Sequence, residues 1–230
     1  MSSSTKQFFV SRYVRSSIGK KQIMAITGIL LIGFLIMHLL GNLTLIIGPD
    51  VFNEYAHRLI SLGPLLYVAE SILLILFLSH LGLAFKLTLE NKKARGSKYV
   101  MKKNTGAGTT FASSTMPYTG LVILAFLINH LLTLKWGTYY ETTLDGQVVR
   151  DLYRTTMETF SSPLYALWYV FTMICLGVHL SHGFQSSFQS LGFSNPNITP
   201  IIKKLGCFLS LGIGFGFAAL AIFCYAQSIL

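Results

Sequence analysis

Five stretches of this chain are almost free of charge, and each is long enough to cross a bilayer. No formally charged side chain occurs between residues 22 and 49, 111 and 134, 159 and 192, or 205 and 230. The stretch from 59 to 85 carries one, Glu70. A hydrocarbon core about 30 Å thick is spanned by roughly 20 apolar residues as a helix. In lipid, a lone segment satisfies its own backbone polar groups only as a helix. The chain therefore reads as all-α, an integral membrane protein with helices at about 22–47, 64–89, 117–137, 163–188 and 205–228. The 230 residues make a single transmembrane domain, since neither 90–116 nor 138–162 is long enough to bury a core. Of these two loops the first is rich in Gly, Ser and Thr and is expected to be mobile near 105–114.

Charge then orients the helices. The net charge of +10 suggests nucleic acid until its placement is examined. Fourteen of the 18 Lys and Arg residues fall in alternate gaps. These are Lys6, Arg12, Arg15, Lys20 and Lys21 before the first span, Lys86, Lys92, Lys93, Arg95, Lys98, Lys102 and Lys103 around the second gap, and Lys203 and Lys204 in the fourth. The other four, Arg58, Lys135, Arg150 and Arg154, accompany seven of the eight acids. The positive-inside rule puts the N-terminus in the cytoplasm and the C-terminus outside. The basic balance is thus topology, no nucleic-acid recognition module is visible, and no nucleic-acid partner is expected. The opening MSSSTKQFFVSRYVRSS has no apolar core, so no removable signal peptide is expected. Cys175, Cys207 and Cys224 all fall within spans and read as packing residues.

The spans contain a repeat. The first reads ITGILLIGFLIMHLL and the third YTGLVILAFLINHLL. In each, Thr-Gly is followed by a histidine ten residues after the glycine: Gly28 to His38, Gly120 to His130. The second and fourth share a Pro-to-His interval of sixteen, Pro64 to His80 and Pro163 to His179. Spans one and two are repeated as three and four, with an approximate two-fold axis along the membrane normal.

At a rise of 1.5 Å per residue, His38 lies roughly 24 Å and His130 roughly 20 Å from the cytoplasmic starts of their helices. Both fall towards the outer leaflet. His80 and His179, each about 16 residues from an outer start, fall towards the inner leaflet. Four histidines thus form two pairs at two depths. A haem iron takes two axial ligands, one on each face of the ring. Facing helices of a four-helix bundle can supply both. The expectation is two haem b groups, stacked about 10–15 Å apart along the normal. Gly33, Gly41, Gly82, Gly177 and Gly183 flank the ligand positions and would make room for the rings. Other metals are disfavoured because no Asp or Glu lies near these histidines in sequence, and Cys175, one turn before His179, reads as a packing residue. The absence of nearby carboxylates also disfavours a histidine proton relay or transporter. The fifth span carries no histidine, and Gly206, Gly212, Gly214 and Gly216 suggest close packing against the other four.

Other polar residues have weaker assignments. His182, one turn after His179, competes for the ligand role, but the Pro-to-His interval favours His179. Lys86 and Gln185 each lie six residues after an inner-layer histidine, where they could hold haem propionates or simply meet the inner surface. Arg15, Ser16 and Ser17 are further inner-face candidates, and Lys135 and Trp136 are their outer counterparts or interfacial anchors.

FLIMHLLGN in the first span, FNEYAH in the first outer loop and one histidine on each of four helices carry a resemblance. The chain resembles the cytochrome b membrane-anchor subunit of succinate:quinone oxidoreductase, in its single-subunit, five-helix, di-haem type. The resemblance implies that His80 and His179 bind the haem nearer the cytoplasm and that His38 and His130 bind the distal one. It implies a flavoprotein with FAD and an iron–sulfur subunit docked on the cytoplasmic face of a bacterial cytoplasmic membrane. Those subunits handle the dicarboxylate, so this chain is catalytic only as a subunit, at the quinone end. Menaquinone is the quinone implied. Asn53, Glu54 and His57 are its candidate contacts, with Glu70 as a deeper option whose other reading is a pair with Arg58. Rival readings are a membrane cytochrome b of another quinone-linked oxidoreductase, the histidine relay, and a purely structural anchor.

Overall fold

The computed structural model describes residues 12–94 and 111–230. Lys6, Arg95, Lys98, Lys102, Lys103 and the loop 105–110 lie outside the described residues. Among the described residues, five helices are long and apolar enough to cross a membrane: Ser17–Ile47, Pro64–Ala94, Phe111–Lys135, Pro163–Ser190 and Ile198–Ile229. The protein is therefore a multi-pass helical membrane protein. Helix α1 runs Ser17–Asn42 and is continued by the short α2, Thr44–Ile47; α3 is Pro49–Ile60 and α4 is Pro64–Ala94. Helix α5, Phe111–His130, ends in a π-helical turn over Leu131–Lys135; α6 is Leu152–Phe160, α7 is Pro163–Ser190 and α8 is Ile198–Ile229.

The ends of these helices have local causes. Ser16 caps α1 by accepting from the Gly19 amide at 3.0 Å. Pro49, Pro64 and Pro163 each open a helix, where a missing amide hydrogen costs nothing. Asn195 Oδ1 accepts from the amides of Asn197 and Ile198 at 3.0 and 2.9 Å and starts α8. Helix α5 begins at Phe111. Residues 111–114, expected in a mobile loop, are helical, and the helix continues through Pro117 into the third span.

One element departs from the all-helical expectation. Strands β1, Glu141–Leu144, and β2, Gln147–Arg150, form an antiparallel hairpin in which Glu141 faces Arg150. Asp145 and Gly146 have φ of +49° and +77°. Asp-Gly is a favoured pair for the two-residue turn that requires left-handed backbone at both positions. The hairpin, α3 and α6 form a cap over one end of the bundle. Its central pin is Asn53, 2% exposed. The Asn53 Nδ2 donates to Asp151 Oδ1 at 2.8 Å, and its Oδ1 accepts from the Tyr153 amide at 2.9 Å. Arg150 donates to the carbonyls of Leu134 and Lys135 at 2.8 and 3.0 Å, satisfying two carbonyls at the end of α5. Desolvation there holds the Arg150 pKa below the usual guanidinium value.

Packing is uneven. Helix α1 contacts both α4 and α7, α5 contacts α7, and α8 packs mainly on α7. Helices α4 and α5 barely touch. One core cluster joins Ile32 of α1, Met173, Leu176 and Leu180 of α7, and Ile213 and Ala218 of α8. A second, under the cap, joins Leu45, Phe52, Phe160, Tyr169 and Cys224. By contrast, Leu87 is the buried residue of α4 and Thr119 that of α5. Glycines do bring α8 in closely, as their number suggests. A Cβ on Gly214 would meet the Met173 carbonyl oxygen at 3.0 Å and Gly177 Cα at 3.3 Å. Gly206 and Gly216 lie against Phe184 and Leu39, whereas Gly212 faces open space.

Candidate functional site

The two outer histidines meet. The rings of His38 and His130 have centroids 5.9 Å apart and stand nearly perpendicular, at 88°. Two imidazole nitrogens bound about 2.0–2.1 Å from one metal would put the ring centres on the order of 6 Å apart. The separation suits an edge-on ring contact and would equally suit two ligands of one ion. Each ring stacks on the phenylalanine one turn before it. Phe34 lies 5.2 Å from His38 and Phe126 5.5 Å from His130, so the repeat preserves this contact. Helix α8 adds Phe217, 5.7 Å from His38. It therefore contributes to the site as well as to packing.

Polar partners in this layer differ between the two sides. Asn42 Nδ2 lies 3.4 Å from His38 Nδ1 and donates to the His38 carbonyl at 2.7 Å. His130 Nδ1 lies 3.3 Å from the hydroxyl of Tyr169. Tyr169 is ten residues before His179, the place Glu70 holds before His80. That interval was visible in the repeat, but nothing in the sequence alone marked Tyr169 as a neighbour of His130.

The inner pair follows the repeat closely. Thr27 Oγ1 lies 3.3 Å from His80 Nδ1, and Thr119 Oγ1 lies 3.1 Å from His179 Nδ1. A Cβ on Gly28 would sit 3.4 Å from His80 Cε1, and one on Gly120 would sit 3.6 Å from His179 Cε1. The Thr-Gly step that defined the repeat is thus the seat of the inner histidines. His80 and His179 lie within electrostatic reach of each other, and His182 within reach of His179. His38 is ten residues beyond Gly28, and His130 ten beyond Gly120. The two layers are therefore about 15 Å apart along the helices.

The glycines assigned to ring accommodation divide. Gly33 and Gly82 have open space where a side chain would stand, and Gly183 only grazes Met116. Gly177 is taken by α8, and Gly41 seats the ring of Tyr55. Lys86 is exposed, while Gln185 and His182 are half-buried at the inner end of their helices. Lys20 is buried and pairs with Glu90 at 2.6 Å, clamping α1 to α4.

Of the quinone candidates, Asn53 has both ends of its amide engaged in the cap. Glu54 is exposed and accepts from Arg58 at 2.5 Å, and His57 is half-buried. Glu70 does not pair with Arg58. It pairs with Lys135 at the end of α5, because Arg58 is already held by Glu54 one turn away. Much of FNEYAH is therefore a packing face, with Phe52 and Ala56 buried and Tyr55 against Gly41.

Among the described residues, no group of three or more His, Cys, Asp or Glu side chains converges as a metal cluster would. The fold and site define a five-span helical membrane protein in which the rings of His38 and His130 meet and His80 and His179 are each seated by a matching Thr-Gly step. No family model, no curated protein and no solved structure matches the chain.

Proposed function

We propose that this chain is the di-haem cytochrome b membrane anchor of a succinate:quinone oxidoreductase, carrying electrons between a cytoplasmic iron–sulfur subunit and a membrane quinone, menaquinone being the one expected. The observation that supports this reading is the ring contact of His38 and His130, with His80 and His179 seated by matching Thr-Gly steps on repeat-related helices. An ion held by protein alone would need three or four donors. A pair supplies two, which is what a macrocycle with four nitrogens of its own leaves open. Each haem, when bound, supplies a carrier that takes and returns one electron.

His80 and His179 would hold the inner group and His38 and His130 the outer one. Phe34, Phe126 and Phe217 keep water from the outer pair. His182, Lys86 and Gln185 stand at the inner ends of their helices, where propionates need polar partners. Quinone reduction takes two protons as well as two electrons, so its site needs a titratable or hydrogen-bonding group. Glu54 and His57 remain candidates, with Glu70 deeper and held by Lys135. Asn53 serves the cap first. The flavoprotein with FAD and the iron–sulfur subunit would dock on the cytoplasmic face, where the basic segments gather. The membrane would be the bacterial cytoplasmic membrane, with the N-terminus inside.

The test is a pyridine haemochrome assay on the purified chain, expressed with adequate haem. About two haem b per chain is the expected result. One would mean that one pair is misassigned. None, in folded protein, would overturn the reading in favour of a histidine relay or a structural anchor.

A further inference from the structure

We propose that Thr27 and Thr119 are matched positioning residues that lock both inner histidines in one tautomer, with Nε2 left free to ligate iron. This rests on the di-haem reading.

The inference follows from counting hydrogens. A threonine hydroxyl has one. Thr27 Oγ1 lies 2.9 Å from the Ile23 carbonyl oxygen and 3.0 Å from that of Met24. Carbonyls only accept, so the hydroxyl hydrogen is spent on the helix's own backbone. What Thr27 turns towards His80 Nδ1 is a lone pair, and the contact at 3.3 Å is a hydrogen bond only if Nδ1 carries the hydrogen. Thr119 repeats this. Its hydroxyl lies 3.2 and 3.1 Å from the carbonyls of Thr115 and Met116, and 3.1 Å from His179 Nδ1. A neutral imidazole protonated on Nδ1 has its lone pair on Nε2. Gly28 and Gly120 complete the seat, since each lets the ring edge approach its helix.

The outer pair has no such device. The group near His38 is the Asn42 amide nitrogen, a donor, and the group near His130 is a phenol that can donate or accept. The effect of the threonines is therefore confined to the inner layer. An acceptor on the second ring nitrogen fixes orientation and raises ligand basicity, and its loss typically costs about 10–100-fold in metal affinity. A more basic ligand favours ferric over ferrous iron. Removing the acceptor should raise the midpoint potential of the inner group alone.

The experiment is a reductive titration, followed by visible absorbance, of the full chain and of Thr27→Val, Thr119→Val and the Ser variants. A His38→Ala background, which keeps only the inner haem, assigns the waves. The expected result is an upward shift of the inner wave in each Val variant, an unmoved outer wave, and Ser variants close to wild type. Selective loss of the inner haem is the stronger form of the same result. An unmoved inner wave with both haems bound, a shift of the outer wave, loss of both haems, or Ser variants shifting as far as Val would overturn the proposal. A wild-type chain without haem is a separate failure, that of the di-haem reading, and is seen before any variant is made.

Discussion

Around His80 and His179 the surroundings are copies of each other: a threonine hydroxyl at Nδ1 and a glycine beneath the ring edge. Around His38 and His130 only the stacked phenylalanine is copied, and the polar neighbours are an asparagine on one side and a tyrosine on the other. The inner layer is built from the repeat itself. The outer layer is built where the repeat has been overwritten by the cap, by α8 and by the Glu70–Lys135 pair. On the proposed reading, the side that keeps its symmetry is the one a soluble partner would dock on, and the side that has lost it is the one that would meet quinone.

The largest effect should come from the histidines themselves. His38→Ala and His130→Ala should each lose one haem of two and keep the inner one, and His80→Ala or His179→Ala the reverse, measured as haem per chain. Loss of both haems from a single outer substitution, in folded protein, would dissolve the two-layer comparison. A smaller effect should follow Asn53→Ala. It strands the Tyr153 amide under the cap, a cost of about 1–3 kcal/mol for a buried group left unpaired, while Asp151 keeps the Arg154 amide. Thermal unfolding in detergent should fall, with outer-layer spectra perturbed and inner-layer spectra unchanged. An equal disturbance of both layers would mean that the cap is not specific to the outer one.

The smallest effect concerns acid. Hydrogen bonds from Tyr140 and Arg154 hold the Glu158 carboxyl below its ordinary value of 4.5. A carboxylate depressed in the folded state contributes its stability at pH above its unfolded value and loses it as pH falls through the lower folded one. Loosening of the cap should therefore begin below about pH 4.5. Glu158→Gln should remove that onset without touching either histidine layer, as read by tryptophan fluorescence against pH.

The spans and the His38–His130 contact were legible because hydrophobic length and residue spacing are properties of one segment or of two similar ones. The five expected runs overlap the five helices, though α5 starts at Phe111 rather than 117 and α8 at Ile198 rather than 205. The Gly-to-His interval singled out His38 and His130. The hairpin was missed although Asp145-Gly146 between alternating residues is a strong turn pattern. The low-charge bias of the whole chain drew attention to the spans instead. The Thr27 and Thr119 contacts were hidden because the repeat showed that Thr-Gly recurs and not what it touches. Glu70 was paired with Arg58 because the two are close in sequence. Only the fold could show that Arg58 was committed to Glu54 and that Lys135 stood across from α4.

Each half of the chain holds one histidine for each layer, and within each half the threonine of one helix seats the histidine of the next. Neither half brings His38 to His130 alone. On the proposed di-haem reading, the working unit would be a hairpin of two helices that becomes competent only on meeting its like. A gene half as long, encoding one such hairpin, could have assembled the same four-helix core as a homodimer. Fusion of two copies would then have freed each to diverge. On that history the inner layer is the older surface and the outer layer the later adaptation, and the fifth helix and the cap are additions that a symmetric pair would not have needed.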